Sequence, residues 1–236
     1  MRAALFSLAM LLSPSLATAE CVALLHGLAR GPDSMLVMEN ALTSAGYKVV
    51  NVGYPSRVET LESLIDTVPE RGLSGCNPLH THFVTHSMGG LLVRGYTARH
   101  PEMPVGRVVM LGPPNQGSAI VDQLRDTPGF ELFNGPAGVS LATDGLPPKL
   151  GPAQAEIGVI AGDRSLNPIF SWLIDGDDDG KVSVAATHLP GQSDHITLPV
   201  THTFMMNDPM VIAQTILFLQ TGSFDHNASY DDLWPF

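Results

Sequence analysis

Short apolar runs alternate along the chain with stretches of helical spacing. The runs are 21–25, 48–52, 80–85, 107–111, 156–161 and 196–200. Runs of this length, bounded by turn formers, read as strands buried on both faces. Between the first two, Met35, Met38, Leu42 and Ala45 share one helical face, and Gly46 is placed to end the helix. Between the second and third, Leu61, Leu64, Ile65 and Val68 do the same. A last helix has Asp208 as its cap, Pro209 in its first turn, Ile212, Ile216 and Leu219 as its stripe, and Gly222 to close it. The alternation predicts an α/β fold, a mainly parallel sheet of about six strands flanked by helices.

One segment departs from that rhythm. Residues 113–151 are rich in Pro and Gly yet carry Phe130, Leu132, Phe133, Val139 and Leu141. A cap over a site has this composition, and so does an ordinary packed insertion. The tail after Gly222 is aromatic and acidic and is expected to pack on the surface. There is no internal repeat and no low-complexity block.

The N-terminus changes the compartment. Arg2, an apolar stretch from Ala3 to Leu12, and the small-x-small triplet Ala17-Thr18-Ala19 read as a removable secretory signal over residues 1–19. The stretch is broken by Ser13 and Pro14 and is shorter than the ~20 residues of a spanning helix. Glu20 stands where lipoprotein processing needs a small residue before Cys21. What remains, 20–236, fits a single domain expected to be soluble, secreted or periplasmic, without a stable membrane anchor. Its two cysteines, Cys21 and Cys76, then meet an oxidising compartment. The net charge is −11, and −12 once Arg2 is lost, which disfavours nucleic acid and anionic lipid as partners.

The chemistry centres on VTHSMGG, residues 84–90. Ser87 lies between an apolar strand and a helix running from Met88 to Arg99. This is the context of the nucleophile elbow G-x-S-x-G, with Thr85 in place of the first glycine. A serine that caps a helix is the competing reading. A nucleophilic serine needs a histidine to take its proton and a carboxylate to hold that histidine. His202 follows the last apolar run, at the end of the sheet where such folds bind ligands. His195 precedes that run, at the wrong end. Candidate carboxylates are Asp163, straight after a strand, and Asp175, Asp177 and Asp179 in DGDDDGKVSV. That run also opens like a calcium loop, but Ala186 occupies the position where an EF-hand has its bidentate Glu, so only a looser calcium site stays open. His80 and His82 share a strand face as a metal pair would, without a third ligand beside them.

Further segments resemble those of the α/β-hydrolase superfamily on its bacterial secreted lipase and esterase side. His26-Gly27-Leu28, after the first strand, is similar to the turn that supplies an oxyanion donor. Asp179-Gly180-x-Val182 resembles the segment carrying the acid, and LGPPNQGS, residues 111–118, is similar to a Pro-x-x-Gly-Ser segment after the strand that follows the elbow. The resemblance covers nearly the whole chain after residue 19. It implies an α/β-hydrolase fold with a reduced N-terminal part and a short cap. It also implies a Ser87–Asp179–His202 triad, backbone oxyanion donors on Leu28 and Met88, and a Cys21–Cys76 disulfide. The implied activity is cleavage of carboxylic esters, of small molecules or lipids, through an acyl-serine intermediate, with no cofactor and no metal. An acyltransferase or thioesterase would keep the same triad, whereas a non-catalytic binding module on this fold would typically lose a member. Thr85 is expected to set the helix slightly farther from the strand, with its hydroxyl available for a local bond. Oligomeric state is left open by the sequence.

Overall fold

The computed structural model describes residues 20–76, 81–103 and 105–233. The secretory leader read over 1–19 and the histidine at 80 lie outside these. Six strands, β1 (Cys21–Leu25), β2 (Lys48–Val52), β3 (Thr81–His86), β4 (Val108–Leu111), β5 (Ile157–Gly162) and β6 (Asp194–Leu198), form one sheet. Its order is β2-β1-β3-β4-β5-β6, and every pairing is parallel. Parallel strands need crossover helices, and these cover both faces. On one face α2 (Leu61–Gly75) and α3 (Met88–Arg99) bury a core around Phe83, Leu64, Ile65 and Leu91. On the other, α1 (Leu36–Ser44) and α8 (Pro209–Thr221) bury Leu24, Met38, Val109 and Phe218. This is the expected α/β sheet, with β1 and β2 placed as the sequence reads them.

Two elements differ from expectation. β6 starts at Asp194, so His195 lies inside the strand, and it ends at Leu198 although the apolar run continues. Pro199 has no N–H to extend the ladder. In α8 the caps are as expected, with Asp208 accepting from the N–H groups of Met210 and Val211 and Gly222 left-handed at φ 82°. Its buried face, however, is Met210, Val211, Gln214, Thr215, Phe218 and Leu219, while Ile212 and Ile216 are half-buried. Gln214 is satisfied there by a two-way bond with the Asp225 backbone at 2.8 and 2.9 Å. The tail also enters the core, because Phe224 is buried against Phe218 with ring centroids 4.9 Å apart.

Chain order puts the site where the connections diverge. From β1 the chain goes to β2 on one side and then returns to β3 on the other, so the crevice between the C-terminal ends of β1 and β3 is the switch point of the sheet. Leu25 pairs with Thr85 as the last rung there, so the turn after β1 and the turn after β3 emerge side by side. Residues 113–151 cross above these ends as α4 (Ala119–Leu124), α5 (Phe130–Val139) and a 3-10 turn (Pro147–Lys149), and the short helices α6 (Pro168–Trp172) and α7 (Val184–Thr187) lie between β5 and β6. Ala137, Leu141, Ala142 and Leu150 of this segment are buried in the core, and Leu132 and Phe133 are exposed. At the opposite end of the sheet Cys21 and Cys76 are bonded, with Cα atoms 5.7 Å apart, as the resemblance implied.

Candidate active site

Ser87 stands alone between β3 and α3 at φ 54°, ψ −124°, a conformation that costs a non-glycine residue about 1–3 kcal/mol. The surrounding bonds hold it there. Its N–H donates to the carbonyl of Leu111 at 2.8 Å, and its own carbonyl accepts from Gly90 at 3.0 Å. The hydroxyl makes no cap bond to the helix, so the capping role that competes with the nucleophile is not the one it plays. A side chain at Gly89 would stand 2.7 Å from the Leu25 carbonyl, which explains why the first turn of α3 requires a glycine against the end of β1. Thr85 is buried, and its hydroxyl reaches across to the Val109 carbonyl of β4 at 3.4 Å instead of bonding locally.

The His26-Gly27-Leu28 turn is clamped from below. The His26 ring stacks on Tyr54 with centroids 4.0 Å apart, and Tyr54 donates its N–H to His26 Nε2 at 3.4 Å and its hydroxyl to the His26 carbonyl. With Nε2 accepting, Nδ1 carries the proton and donates to the Gly27 carbonyl at 2.9 Å. Burial lowers the His26 pKa, which keeps the ring neutral in this arrangement. A Cβ at Gly27 would lie 2.9 Å from His86 Nδ1 and 3.1 Å from the Ser87 Cβ, so the turn rests directly on the elbow. The N–H of Leu28 has no acceptor among the described residues. That of Met88, the first of α3, has none within its helix. Two unengaged donors thus flank Ser87.

Asp179 and His202 meet at Oδ2 and Nδ1, 2.7 Å apart, and both are buried. The spacing D-G-x-V acquires a physical reason here. Gly180, at φ 96°, folds the loop back so that Asp179 Oδ1 accepts from the N–H groups of Lys181 and Val182 at 3.0 and 2.8 Å. One carboxylate oxygen is therefore fixed by backbone, and the other is aimed at the imidazole. The histidine's backbone N–H also donates to the Asp179 carbonyl, at 2.8 Å.

Besides Tyr54, two supporting residues were not read from the sequence. His86, the variable position of the elbow motif, is buried with its ring 4.7 Å from that of His202, and its Nε2 lies 2.9 Å from the His202 carbonyl. Desolvation first, and the nearby His202 second, push its pKa well below the usual histidine range, so Nε2 is the donor of a neutral ring. Gly112, directly after β4, has φ 55°. A Cβ there would stand 2.9 Å from Asp179 Oδ2 and 3.1 Å from His202 Nδ1. The glycine of LGPP was the available signal for this position. Beyond it, the Ser118 N–H donates to Leu141, which ties the Pro-x-x-Gly-Ser segment to the overlying residues.

Ser87 and His202 open on a cavity of about 250 Å³. Its lining includes the apolar side chains of Leu28, Ile120, Val121, Leu124, Phe130 and Leu141, together with the cationic residues Arg30 and Lys181.

The remaining sequence candidates lie elsewhere. Asp163 stands 3.4 Å from the Arg164 guanidinium and makes no bond to His202. Asp175 and Asp177 are exposed. His195 bonds Thr187 at 2.8 Å and stacks on His188. His82 accepts from the Arg107 N–H at 2.9 Å and lies 3.5 Å from Glu20. Among the described residues no group of three or more His, Cys, Asp or Glu side chains is placed to hold a metal ion.

No known family model matches the chain, and no curated protein does so at a significant level. Solved structures do. The mature form of the lipase BlEst2 from Bacillus licheniformis superposes with a TM-score of 0.70 at 16% identity, over 89% of this chain and 96% of that one. The phospholipase PlaB from Legionella pneumophila gives 0.64 at 16% identity over 86% of this chain and 60% of its own. The esterase RhEst1 from a Rhodococcus species gives 0.56 at 16% over 86% and 91%. At such identities the likeness is one of fold. With its six parallel strands in this order and these lipases and esterases as structural neighbours, the chain has the α/β-hydrolase fold.

Proposed function

We propose that the protein is a serine hydrolase of carboxylic esters that acts outside the cytoplasm. The observation that carries this reading is the buried His202–Asp179 pair at 2.7 Å, whose histidine faces the same cavity as Ser87. With Nδ1 committed to Asp179, Nε2 is the nitrogen left to take the Ser87 proton as the hydroxyl attacks the ester carbonyl. The N–H groups of Leu28 and Met88 receive the oxygen that becomes negative, a contribution of roughly 3 kcal/mol per donor. His202 then returns the proton to the leaving alkoxide, and water releases the acyl group by the reverse roles.

Residues 113–151 act in this reading as the cap that supplies the acyl wall. The neighbouring lipase, phospholipase and esterase support ester hydrolysis as the chemistry. The Cys21–Cys76 bond fits an oxidising compartment. Among the described residues no helix is long and apolar enough to cross a membrane. Nitrophenyl esters of increasing acyl length, given to wild type and to Ser87→Ala, test the proposal. Turnover by wild type and its loss in the variant is expected, and equal rates in both proteins would contradict it.

A further inference from the structure

Arg30, in the loop after β1, and Lys181, in the loop that positions Asp179, both line the cavity that holds Ser87 and His202. Neither forms an ion pair with a carboxylate among the described residues, in a chain with 23 acidic side chains against 12 basic ones. Among the described residues no Asp or Glu lines this cavity. Arg30 uses one nitrogen, Nη2, on the Thr203 carbonyl at 2.9 Å, which leaves most of its five donors unengaged. The Lys181 ammonium makes no hydrogen bond among the described residues. Its pKa is lowered, first by desolvation and then by the charge of Arg30, with Asp179 opposing. The charges of both also reach His86. The two cations repel each other, with only the Asp179 carboxylate, already committed to His202, opposing, and a bound anion relieves that repulsion.

The rest of the lining is largely apolar, so the site is amphipathic. From this mixed lining we infer that the site selects esters bearing one anionic group, a carboxylate or a phosphate, on the alcohol side, with the acyl chain against Ile120, Val121, Leu124 and Phe130. The net charge of −11 repels an extended anionic surface, so the substrate is recognised as a dispersed molecule and not within an anionic bilayer. This deepens the proposed ester-hydrolase reading and rests on it.

The test compares three hexanoyl esters of matched shape: 3-hexanoyloxybenzoate, 3-hexanoyloxyphenyl phosphate and the neutral 3-hexanoyloxybenzamide. Wild type at low ionic strength should show a kcat/KM for at least one anionic ester about tenfold or more above the benzamide, and the ratio should shrink with added salt. The better of the two anions identifies the group. Lys181→Gln and Arg30→Gln should each lower the anionic-to-neutral ratio about fivefold, a comparison within one protein that cancels any general loss of activity. A wild-type ratio near one, or a ratio unchanged in both variants, overturns the inference.

Calorimetry of Ser87→Ala with the amide analogues 3-hexanamidobenzoate and 3-hexanamidobenzamide reads binding without turnover. Preferred binding of the benzoate that is lost in the Lys181→Gln background supports the anion site even if no ester is cleaved, in which case only the hydrolase reading fails. Hydrolysis with no anion preference overturns the anion site and leaves the hydrolase reading standing.

Discussion

His202 and Asp179 are joined twice, imidazole to carboxylate at 2.7 Å and backbone N–H to backbone carbonyl at 2.8 Å. The second bond fixes where the histidine enters, and the first fixes which ring nitrogen carries the proton. The carboxylate cannot swing away, because its other oxygen is held by two N–H groups of its own loop.

Asp179→Asn separates orientation from folding. The amide oxygen can still accept from Lys181 and Val182, so the melting temperature should move little. The tautomer of His202, however, is no longer enforced. We predict a fall in kcat of about a thousandfold or more, measured on a soluble nitrophenyl ester. A loss below tenfold would mean that the pair does not serve the reaction.

Gly112→Ala should be disproportionately harmful for a single methyl group. Its φ of 55° is unfavourable to alanine, and the added carbon meets Asp179 Oδ2, Met205 Sδ and His202 Nδ1 at 2.9–3.1 Å. The strain falls on the His202–Asp179 pair itself. Activity is expected to drop about a hundredfold with a modest loss in thermal unfolding temperature. An alanine variant with wild-type kcat would show that the pair tolerates displacement.

Acid should destabilise the fold well above the usual carboxylate range. His26, His82, His86 and His195 all have pKa values lowered chiefly by burial, His195 to about 4. Below pH ~6.5 the unfolded chain binds protons at these positions that the folded chain refuses, so stability is lost as pH falls from ~6.5 toward each folded pKa. Each such histidine steepens the slope by up to about 1.4 kcal/mol per pH unit. Urea unfolding between pH 8 and pH 4 should show a plateau and then a decline below ~6.5, and His195→Gln should flatten part of that decline. Rising stability on acidification through this window is the contrary result.

How much of this was legible in the sequence follows from what each signal measures. Apolar runs report burial on both faces, so β1, buried throughout, matches residue for residue; β2 has the bounds read from the sequence although it is an edge strand with only Val52 buried. β6 lies at the edge of the sheet and alternates buried with exposed positions, so its polar start at Asp194 was invisible to a search for runs. In α8 the polar Gln214 sits on the buried face because Asp225, eleven residues on, satisfies it, and no local pattern encodes that partner. At the site, Ser87, Asp179 and His202 stood out because each sits at a strand end or in a tight spacing. His86, Gly112 and Tyr54 did not, because their roles are contacts to residues distant in sequence. The pairing of Arg30 with Lys181 at one cavity is likewise a product of the sheet's order.

The central claim is that Ser87 is the nucleophile, and covalent capture tests it most directly. Wild-type protein treated with a fluorophosphonate, then digested and mapped by mass spectrometry, should carry one phosphonyl group on the hydroxyl of Ser87. Ser87→Ala should remain unlabelled, and His202→Ala should label at least a hundred times more slowly. Labelling at another residue, or equal labelling of wild type and Ser87→Ala, would contradict the account.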